Sequence, residues 1–307
     1  MTMHDDQLVI GARTVRELVR RQFPAWPERP VTPVGSSGTV HAIFRLGGRL
    51  AARFPLRPGD PDAVRRDLEA EAQAAAELAG QTRFATPEPV AIGDPGAGYP
   101  LPWSVQTWLP GVTAADGDPG SSAGLAADLA EFIAGVRAIG TRGRTFSGSG
   151  RGGDLARHDP WVQECLQRSE GLLDVPGLRR IWAGLRDLPR GPGGDVMSHK
   201  DLIPGNVLVS NGRLAGVLDV GDLGPADPAL DLVGGWHLLD AGPRQVLRAT
   251  LRCTDLEWQR GMGWAFEQAI GAAWYYQHTN PAMSLMGTRT LRRIQDAVRV
   301  RSTDHDD

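Results

Sequence analysis

The 307-residue sequence has a single lysine, Lys200, and only two cysteines, Cys165 and Cys253. A phosphate-binding loop of the Walker type needs a lysine followed by serine or threonine, whereas Lys200 is followed by Asp201. That kind of nucleotide site is therefore excluded. Two cysteines are too few for a disulfide framework, and no Cys-x-x-Cys pair is present to hold zinc. No apolar run reaches the ~20 residues that a membrane helix requires.

The charge balance is slightly acidic, with 33 Lys and Arg against 36 Asp and Glu, for a net charge of −3. This balance argues against general affinity for nucleic acid or for anionic membranes. A hydrophobic content of 41% is enough to form cores, and the length suggests two domains of roughly 150 residues each. Because residues 1–7 are too polar for a signal peptide, we expect a soluble, cytoplasmic protein. The sequence leaves its oligomeric state open.

The hydrophobic pattern predicts an α+β protein with two domains, residues 1–110 and residues 111–307. The first domain is expected to contain strands and helices, and the second to be mainly helical. The predicted elements of the first domain are helices 11–22 and 62–79 and strands 41–46, 50–54, 90–92 and 103–109. The predicted helices of the second domain are 123–139, 161–169, 175–188, 230–239, 243–253, 256–278 and 286–300.

The segment His199–Asn206 has the form His-x-Asp-x-x-x-x-Asn, and Asp219 follows Asn206 by thirteen residues. Between them, Asn211-Gly212 is a strong two-residue turn signal, flanked by two apolar runs that predict a β-hairpin. Counting outward from the turn pairs Ser210 with Arg213 and Asn206 with Val217. This register would bring Asn206 and Asp219 together at the open end of the hairpin.

An amide oxygen and a carboxylate held close together suit Mg²⁺, which takes few protein oxygens and completes its shell with phosphate and water. Asn206 and Asp219 are therefore candidate metal ligands. Asp201 lies five residues before Asn206, beside the candidate metal and free to face a hydroxyl. This combination predicts a site for phosphoryl transfer.

His199, Asp201, Asn206 and Asp219 resemble the catalytic and metal motifs of the protein-kinase-like superfamily. Together with the following segment Pro225–Asp231, they resemble in particular the aminoglycoside phosphotransferase family of antibiotic kinases, which includes macrolide phosphotransferases. The similarity covers about residues 30–300. It implies a bilobal kinase-like fold, with a small N-terminal antiparallel sheet plus a helix and a larger, mainly helical C-terminal lobe.

The resemblance also implies roles for individual residues. Asp201 would be the base or would position the acceptor hydroxyl, and His199 would brace its loop. Asn206 and Asp219 would hold Mg²⁺, and Asp231 would anchor the loop.

The N-terminal lobe would hold ATP or GTP, and the resemblance places Arg53 where the family has a lysine that contacts phosphates. Its expected partner is a glutamate on the long helix, Glu71 by spacing, with Glu69 as the competitor. The other expected nucleotide contacts are a phosphate-covering segment (Gly35, Ser36, Ser37 and Gly38) and a hinge (Gln106, Trp108 and Leu109).

The implied activity is transfer of the γ-phosphate of ATP or GTP to a hydroxyl of an aminoglycoside-like or macrolide antibiotic. Few acidic residues lie on the predicted C-terminal helices, amid arginines, so a large, less charged acceptor suits them about as well as a polycation. Two alternatives stay open: a kinase of a housekeeping alcohol or sugar, and a catalytically silent nucleotide-binding module, which the arginine at position 53 motivates. A protein kinase is disfavoured because no Ala-Pro-Glu signature follows Asp219.

Two further motifs match only formally. Gly148–Gly153 contains Gly-x-Gly-x-x-Gly but follows no predicted strand, which argues against a dinucleotide site. Gly120–Gly124 matches a nucleophile-elbow pattern without the buried strand that such a turn needs. Ser122 is instead predicted to cap the helix that begins at Ala123.

Overall fold

The computed structural model describes residues 7–35, 40–117 and 119–303, with side chains described up to residue 300. The chain forms two compact units. The first consists of residues up to Gly80, Ala85–Pro110 and Leu218–Gly221. The second consists of Gln81–Phe84, Gly111–Val217 and the residues from Asp222 onward. Because Leu218–Gly221 belongs to the first unit, the predicted metal ligands Asn206 and Asp219 are parts of different units.

A five-stranded antiparallel sheet with the order β1-β2-β3-β5-β4 forms the first unit together with two helices. The strands are β1 (Val31–Pro33), β2 (His41–Leu46), β3 (Leu50–Pro55), β4 (Pro89–Gly93) and β5 (Trp103–Thr107), and the helices are α1 (Ala12–Gln22) and α2 (Pro61–Leu78). Asp60 caps α2 by accepting a hydrogen bond from the backbone N–H of Ala63.

The two faces of this sheet carry different side chains because successive residues of a strand point to opposite sides. On one face, Phe54 stacks on Trp103 with ring centroids 4.9 Å apart. Val15 and Leu18 of α1 belong to the same buried cluster. In the register, Arg53 lies opposite Ser104 and Ala51 opposite Gln106. Arg53 therefore shares the second face with the candidate hinge residue Gln106.

The second unit is mainly helical, and its longest buried helix, α9, has buried residues along most of its length from Trp258 to Ala273. Its helices are α3 (Ala114–Gly117), α4 (Ala123–Ala138), α5 (Asp159–Arg168), α6 (Val175–Leu185), α7 (Val233–Leu238), α8 (Ala241–Leu251), α9 (Asp255–Tyr275) and α10 (Pro281–Thr303). Its strands are β6 (Val112–Thr113), β7 (Val196–Ser198), β8 (Val207–Ser210), β9 (Arg213–Val217) and β10 (Gly224–Ala226). They form the sheets β6-β8-β9 and β7-β10.

The predicted helices and the longer strands are confirmed, with ends that differ by a few residues. Ser122 caps α4 as expected, with its Oγ accepting a hydrogen bond from the Leu125 N–H at 3.1 Å. The strands that the sequence did not predict are β1, β6, β7 and β10, each of two or three residues. Such short strands carry too few residues to show an alternating pattern.

The predicted hairpin forms, but its predicted register is wrong at the open end. Ser210 pairs with Arg213 as expected, whereas Val217 pairs with Val207 rather than with Asn206. The register shifts between Leu208 and Val209, so an irregularity uses one more residue on β9 than on β8. Asn206 therefore lies outside the strand, at the end of a 3₁₀ turn.

None of the described helices has both the length and the apolar character needed to cross a membrane.

Candidate active site

The loop that follows β7 is fixed by one buried carboxylate. Asp231 is 1% exposed. It accepts hydrogen bonds from Ser198 Oγ at 2.7 Å, from the His199 N–H at 2.8 Å and from the Lys200 N–H at 2.9 Å. Lys200 has a positive φ of 73°, an uncommon conformation for a residue with a side chain. Three hydrogen bonds to one acidic residue hold the backbone in that conformation just before Asp201.

Asp201 and Asn206 are brought together within this loop. The Nδ2 atom of Asn206 donates to Oδ2 of Asp201 at 2.8 Å and to the backbone oxygen of Asp201 at 3.0 Å. The amide nitrogen thus donates inside the loop, and any ligand role of Asn206 rests on its Oδ1 atom. The buried His199 accepts a hydrogen bond from the Asp201 N–H through Nδ1 at 3.3 Å.

In the first unit, Arg53 contacts two carboxylates at once. Its Nη1 atom lies 3.0 Å from Glu71 Oε2, and its Nη2 atom lies 2.9 Å from Asp219 Oδ1. Of the two glutamates considered, Glu71 is the partner. The Arg53 side chain is only 11% exposed, whereas that of Asp219 is 50% exposed. The forked guanidinium can serve two acceptors in fixed geometry, which a single ammonium group does less well.

His41 is a neighbour of Arg53 that the sequence analysis missed. Its Nδ1 atom lies 3.4 Å from Arg53 Nη2. Burial, together with the charge of Arg53, lowers the pKa of His41 to about 3, so the ring is neutral at physiological pH. A neutral ring nitrogen can accept a hydrogen bond from Arg53. The available signal was a histidine on β2, beside the strand that carries Arg53.

Gly221, two residues after Asp219, is required to be glycine for a steric reason. A Cβ atom on Gly221 would lie 2.7 Å from Glu71 Cγ, so only glycine allows this approach. Beside it is a cavity of about 210 Å³ that includes Arg53, Glu71 and Gln106 in its lining. The Oγ atom of Ser104, which also lines the cavity, is buried without a hydrogen-bond partner. Three of the predicted nucleotide-binding residues therefore border one cavity within the first unit.

The remaining predicted nucleotide contacts are only partly described. Ser36, Ser37 and Gly38 lie outside the described residues. Apart from its own chain neighbours, no described atom lies within 4 Å of the Cβ position of Gly35. Trp108 and Leu109 follow β5, which ends at Thr107.

The Trp108 side chain is used in packing. The guanidinium of Arg45 lies 5.1 Å from its ring centroid, a cation–π contact. Its backbone N–H donates to the Arg49 oxygen at 2.7 Å. That a backbone group of Trp108 contacts a nucleotide base stays a prediction. Because its N–H is already bonded to Arg49, the carbonyl oxygen is the group that would make this contact.

The two candidate metal ligands are chemically suited to Mg²⁺. Asn206 offers an amide oxygen, and Asp219 a half-exposed carboxylate. Within the described part of the chain, no group of three or more His, Cys, Asp and Glu side chains is arranged to hold a metal ion. This donor set fits an ion that takes most of its ligands from phosphate and water, as Mg²⁺ does, and does not fit a structural zinc site.

Arg151, in the Gly148–Gly153 segment that the sequence analysis set aside, lies beside Asp201. Its Nη2 atom is 3.7 Å from Asp201 Oδ1. No motif signals this residue, because it comes from a loop far from Asp201 in the sequence.

Comparison with solved structures shows the fold. The GDP complex of wild-type aminoglycoside 2'-phosphotransferase-IIIa is 20% identical, with a TM-score of 0.66 over 94% of this chain and 99% of that chain. The GDP and kanamycin complex of APH(2")-IIia is 20% identical, with a TM-score of 0.68 over 92% of this chain and 98% of that chain. Macrolide 2'-phosphotransferase MphH from Brachybacterium faecium is 20% identical, with a TM-score of 0.59 over 91% and 97% of the two chains. The expected α+β, kinase-like fold is confirmed.

Sequence comparison identifies the family to which the chain belongs. No curated protein sequence matches the chain significantly. The model of the phosphotransferase enzyme family, abbreviated APH, matches residues 31–264, which is most of the chain. This match includes Arg53, the Asp201–Asn206 loop and Asp219. The chain therefore belongs to the phosphotransferase enzyme family and is an enzyme that transfers a phosphoryl group to a hydroxyl acceptor.

Proposed function

We propose that this enzyme transfers the γ-phosphoryl group of ATP or GTP to a hydroxyl of an antibiotic of the aminoglycoside or macrolide type. The observation that carries the proposal is the Asp201–Asn206 pair in a loop fixed by Asp231. A carboxylate held at a defined position by its neighbours is what orienting a hydroxyl requires. Solved neighbours of similar fold include complexes with GDP, ATP and kanamycin, and a macrolide 2'-phosphotransferase.

In this proposal Asp201 accepts a hydrogen bond from the acceptor hydroxyl and takes its proton as the oxygen attacks phosphorus. Asn206 keeps the carboxylate in position through its Nδ2 atom. His199 braces the loop from the buried side through the Asp201 N–H. Catalysis rests on positioning and electrostatics, as is typical of phosphoryl transfer.

The nucleotide is proposed to bind through the first unit. Arg53 would neutralise phosphate charge, with Glu71 holding its guanidinium. Gln106, Trp108 and Leu109 would contact the base, and the segment Gly35–Gly38 would cover the phosphates.

We propose Mg²⁺ as the metal, with Asn206 Oδ1 and the Asp219 carboxylate as its protein ligands. When bound, Mg²⁺ neutralises charge on the phosphate oxygens. In the structure, one Asp219 oxygen accepts from Arg53 at 2.9 Å.

The acidic side chains of the C-terminal helices favour a weakly charged acceptor. A polycationic aminoglycoside needs carboxylates that are free to pair with its ammonium groups. Three acidic side chains here already form ion pairs within the chain: Asp240 with Arg293, Asp255 with Arg248, and Glu257 with Arg137. One oxygen of a fourth, Glu267 Oε1, lies 3.0 Å from His158 Nδ1. This pairing favours a macrolide over a polycation.

The test is a transfer assay with ATP and with GTP, each with Mg²⁺, across aminoglycosides and macrolides. We expect an acceptor that gains the mass of one phosphoryl group, and Asp201→Asn should lose this transfer while it still binds nucleotide. Choline and simple sugars belong in the same panel, because transfer to one of them alone would support a housekeeping kinase. Nucleotide-induced thermal stabilisation without turnover on any acceptor would contradict the proposal and support a silent nucleotide-binding module.

A further inference from the structure

The glycine-rich segment 148–153 is fixed at its C-terminal end. The Gly152 carbonyl oxygen accepts a hydrogen bond from the Asp227 N–H at 2.8 Å. The Gly153 carbonyl oxygen accepts one from Arg260 Nη2 at 2.9 Å. A Cβ atom on Gly153 would lie 2.7 Å from the ring of Phe146, so glycine is needed for this packing. The fold therefore determines the backbone position from which the Arg151 side chain extends.

The N-terminal side of the segment is also held. The Phe146 N–H donates to Asp195 Oδ2 at 2.8 Å. Arg190 forms an ion pair with the other oxygen of the same carboxylate. Arg151 thus lies between two anchored points, and its location does not depend on a loosely attached surface loop.

The guanidinium of Arg151 lies between two carboxylates. Its Nη2 atom is 3.7 Å from Asp201 Oδ1, and its Nη1 atom is 3.8 Å from Glu267 Oε2. Both distances are too long for hydrogen bonds, so these two contacts are ion pairs. Asn206 donates to Oδ2 of Asp201, so Arg151 faces the other oxygen of that carboxylate.

Glu267 explains why the guanidinium lies there. This carboxylate on α9 is 5% exposed. Its Oε1 atom is 3.0 Å from His158 Nδ1, and its Oε2 atom is buried without a hydrogen-bond partner. A poorly solvated carboxylate attracts a nearby cation strongly. The Arg151 side chain is itself 36% exposed, so a ligand can reach it.

The residues that follow Asp201 in the loop supply no cation, since residues 202–205 are Leu, Ile, Pro and Gly. The preceding Lys200 is directed elsewhere, because its Nζ atom would be 2.8 Å from a Cβ atom on Gly224. Of these two cations, Arg151 is the one with a guanidinium nitrogen 3.7 Å from Asp201 Oδ1.

We propose that Arg151 is a catalytic residue whose guanidinium donates hydrogen bonds to the transferring phosphoryl group. This inference rests on the proposed role of Asp201. The acceptor oxygen forms a bond to the γ-phosphorus while the bond from phosphorus to the β,γ-bridging oxygen breaks. That electron pair leaves with the nucleoside diphosphate, and the hydroxyl proton passes to Asp201. Charge on the equatorial phosphoryl oxygens faces Arg151, whose planar fork matches phosphate geometry.

The test compares Arg151→Ala and Arg151→Lys with the matched control Arg157→Ala, which removes an exposed arginine shortly after the same segment. The probe is the antibiotic that accepts phosphate in the panel or, where none does, the Mg²⁺-dependent hydrolysis of ATP or GTP by water. We expect Arg151→Ala to lower kcat by about 10²-fold, the typical cost of losing a group that stabilises transition-state charge. The nucleotide KM should change little, while the melting temperature should fall by a few degrees because Glu267 loses its nearby cation.

Arg151→Lys should keep more activity than Arg151→Ala because it keeps the charge without the fork. Added guanidinium chloride at non-denaturing concentration should restore part of the turnover of Arg151→Ala and none in Arg157→Ala. A purely structural role of Arg151 would give no such chemical rescue.

Two outcomes would overturn the inference. An unchanged kcat in Arg151→Ala would show that the arginine does not act on the phosphoryl group. A lower acceptor KM with an equal or higher kcat would show that Arg151 merely occupies the place of a substrate cation between Asp201 and Glu267. Asp201→Asn separates the two proposals. If Asp201→Asn abolishes turnover while Arg151→Ala keeps the wild-type kcat, only the inference about Arg151 fails. If Asp201→Asn is active, the proposed function fails as well.

Discussion

The Nη1 atom of Arg53 lies 3.0 Å from Oε2 of Glu71, and this ion pair connects β3 with α2. The other guanidinium nitrogen lies 2.9 Å from Asp219, the candidate metal ligand. Arg53, which the sequence resemblance places where the family has a lysine, thus contacts two carboxylates from distant parts of the sequence. The substitution does not by itself indicate a silent module, because the cation is present, mostly buried and oriented.

We predict that Arg53→Met lowers kcat/KM for the nucleotide by about 10²-fold, because phosphate charge and the Glu71 and Asp219 carboxylates all lose their cation. Arg53→Lys should lose about 10-fold, since one ammonium group cannot reproduce both contacts. Steady-state kinetics and calorimetric nucleotide binding measure these effects. Arg49→Met, an exposed arginine before β3, is the control and should behave as wild type.

If Arg53→Met kept wild-type kinetics, Arg53 would be a structural arginine without a role in phosphate binding. A double-variant cycle with Glu71→Gln adds a second check. Because the two side chains are in contact, the effects of Arg53→Met and Glu71→Gln should be less than additive.

The sequence predicted the parts of the fold and site that depend on local pattern. The Asn211-Gly212 turn, the long helix α2 and the spacing of His199, Asp201 and Asn206 are all local features. The irregularity after Leu208 is not a local feature, because it depends on how β8 and β9 pair with each other. Counting from the turn therefore misplaced Asn206 by one position.

Residues that contact the site from elsewhere in the chain could not be predicted for the same reason. His41 reaches Arg53 only because β2 and β3 pair in a particular register. Arg151 reaches Asp201 only because Gly152 and Gly153 bond to Asp227 and Arg260. Such contacts depend on tertiary packing, to which no spacing rule applies.

Asp231→Asn is predicted to destabilise the protein by about 2–4 kcal/mol. The two carboxylate oxygens accept three buried hydrogen bonds, and the substitution replaces one oxygen with an amide nitrogen, which cannot accept. Those bonds come from Ser198 Oγ and from the backbone N–H groups of His199 and Lys200. Transfer activity should fall even at temperatures where the variant is folded, since the loop carrying Asp201 loses its anchor. Urea unfolding and transfer assays measure both effects.

The matched control is Asp67→Asn, at an exposed position within α2. It should change the free energy of unfolding by less than about 0.5 kcal/mol. Full activity of a folded Asp231→Asn variant would contradict the anchoring role.

Arg260 and Asp227 form a buried ion pair whose disruption should be costly. Arg260 donates from Nε to Asp227 Oδ2 at 2.8 Å and from Nη2 to the Gly153 oxygen. Arg260→Met should cost about 3–5 kcal/mol, because it leaves the Asp227 carboxylate buried without its cation. Adding Asp227→Asn to Arg260→Met should recover part of the lost stability, since burying an amide costs less free energy than burying an unpaired charge. Thermal and urea unfolding measure the differences.

Arg299→Met, a change at an arginine whose side chain is 74% exposed, is the control for this pair. If Arg260→Met were as stable as this control, the buried pair would make no net contribution to folding.

A buried histidine predicts how stability depends on pH. Burial lowers the pKa of His237 from 6.5 to about 4. Its neutral ring is bonded on both sides, with Nδ1 2.9 Å from Thr290 Oγ1 and Nε2 2.7 Å from Gln268 Oε1. Between pH 6.5 and about 4 the unfolded chain binds a proton at this residue and the folded chain does not. Its contribution is therefore complete above pH 6.5 and decreases as the pH falls toward 4.

At about 1.4 kcal/mol per pKa unit, the shift at His237 corresponds to a loss of roughly 3 kcal/mol over this window. We expect the free energy of unfolding, measured with urea at a series of pH values, to decrease from pH 7 to pH 4.5. His237→Gln should be less stable at pH 7 but show a shallower decrease. His278→Gln, at an exposed position, should reproduce the wild-type pH dependence. An equal slope in His237→Gln and in the wild type would contradict this assignment, because the proton uptake would then belong to other groups.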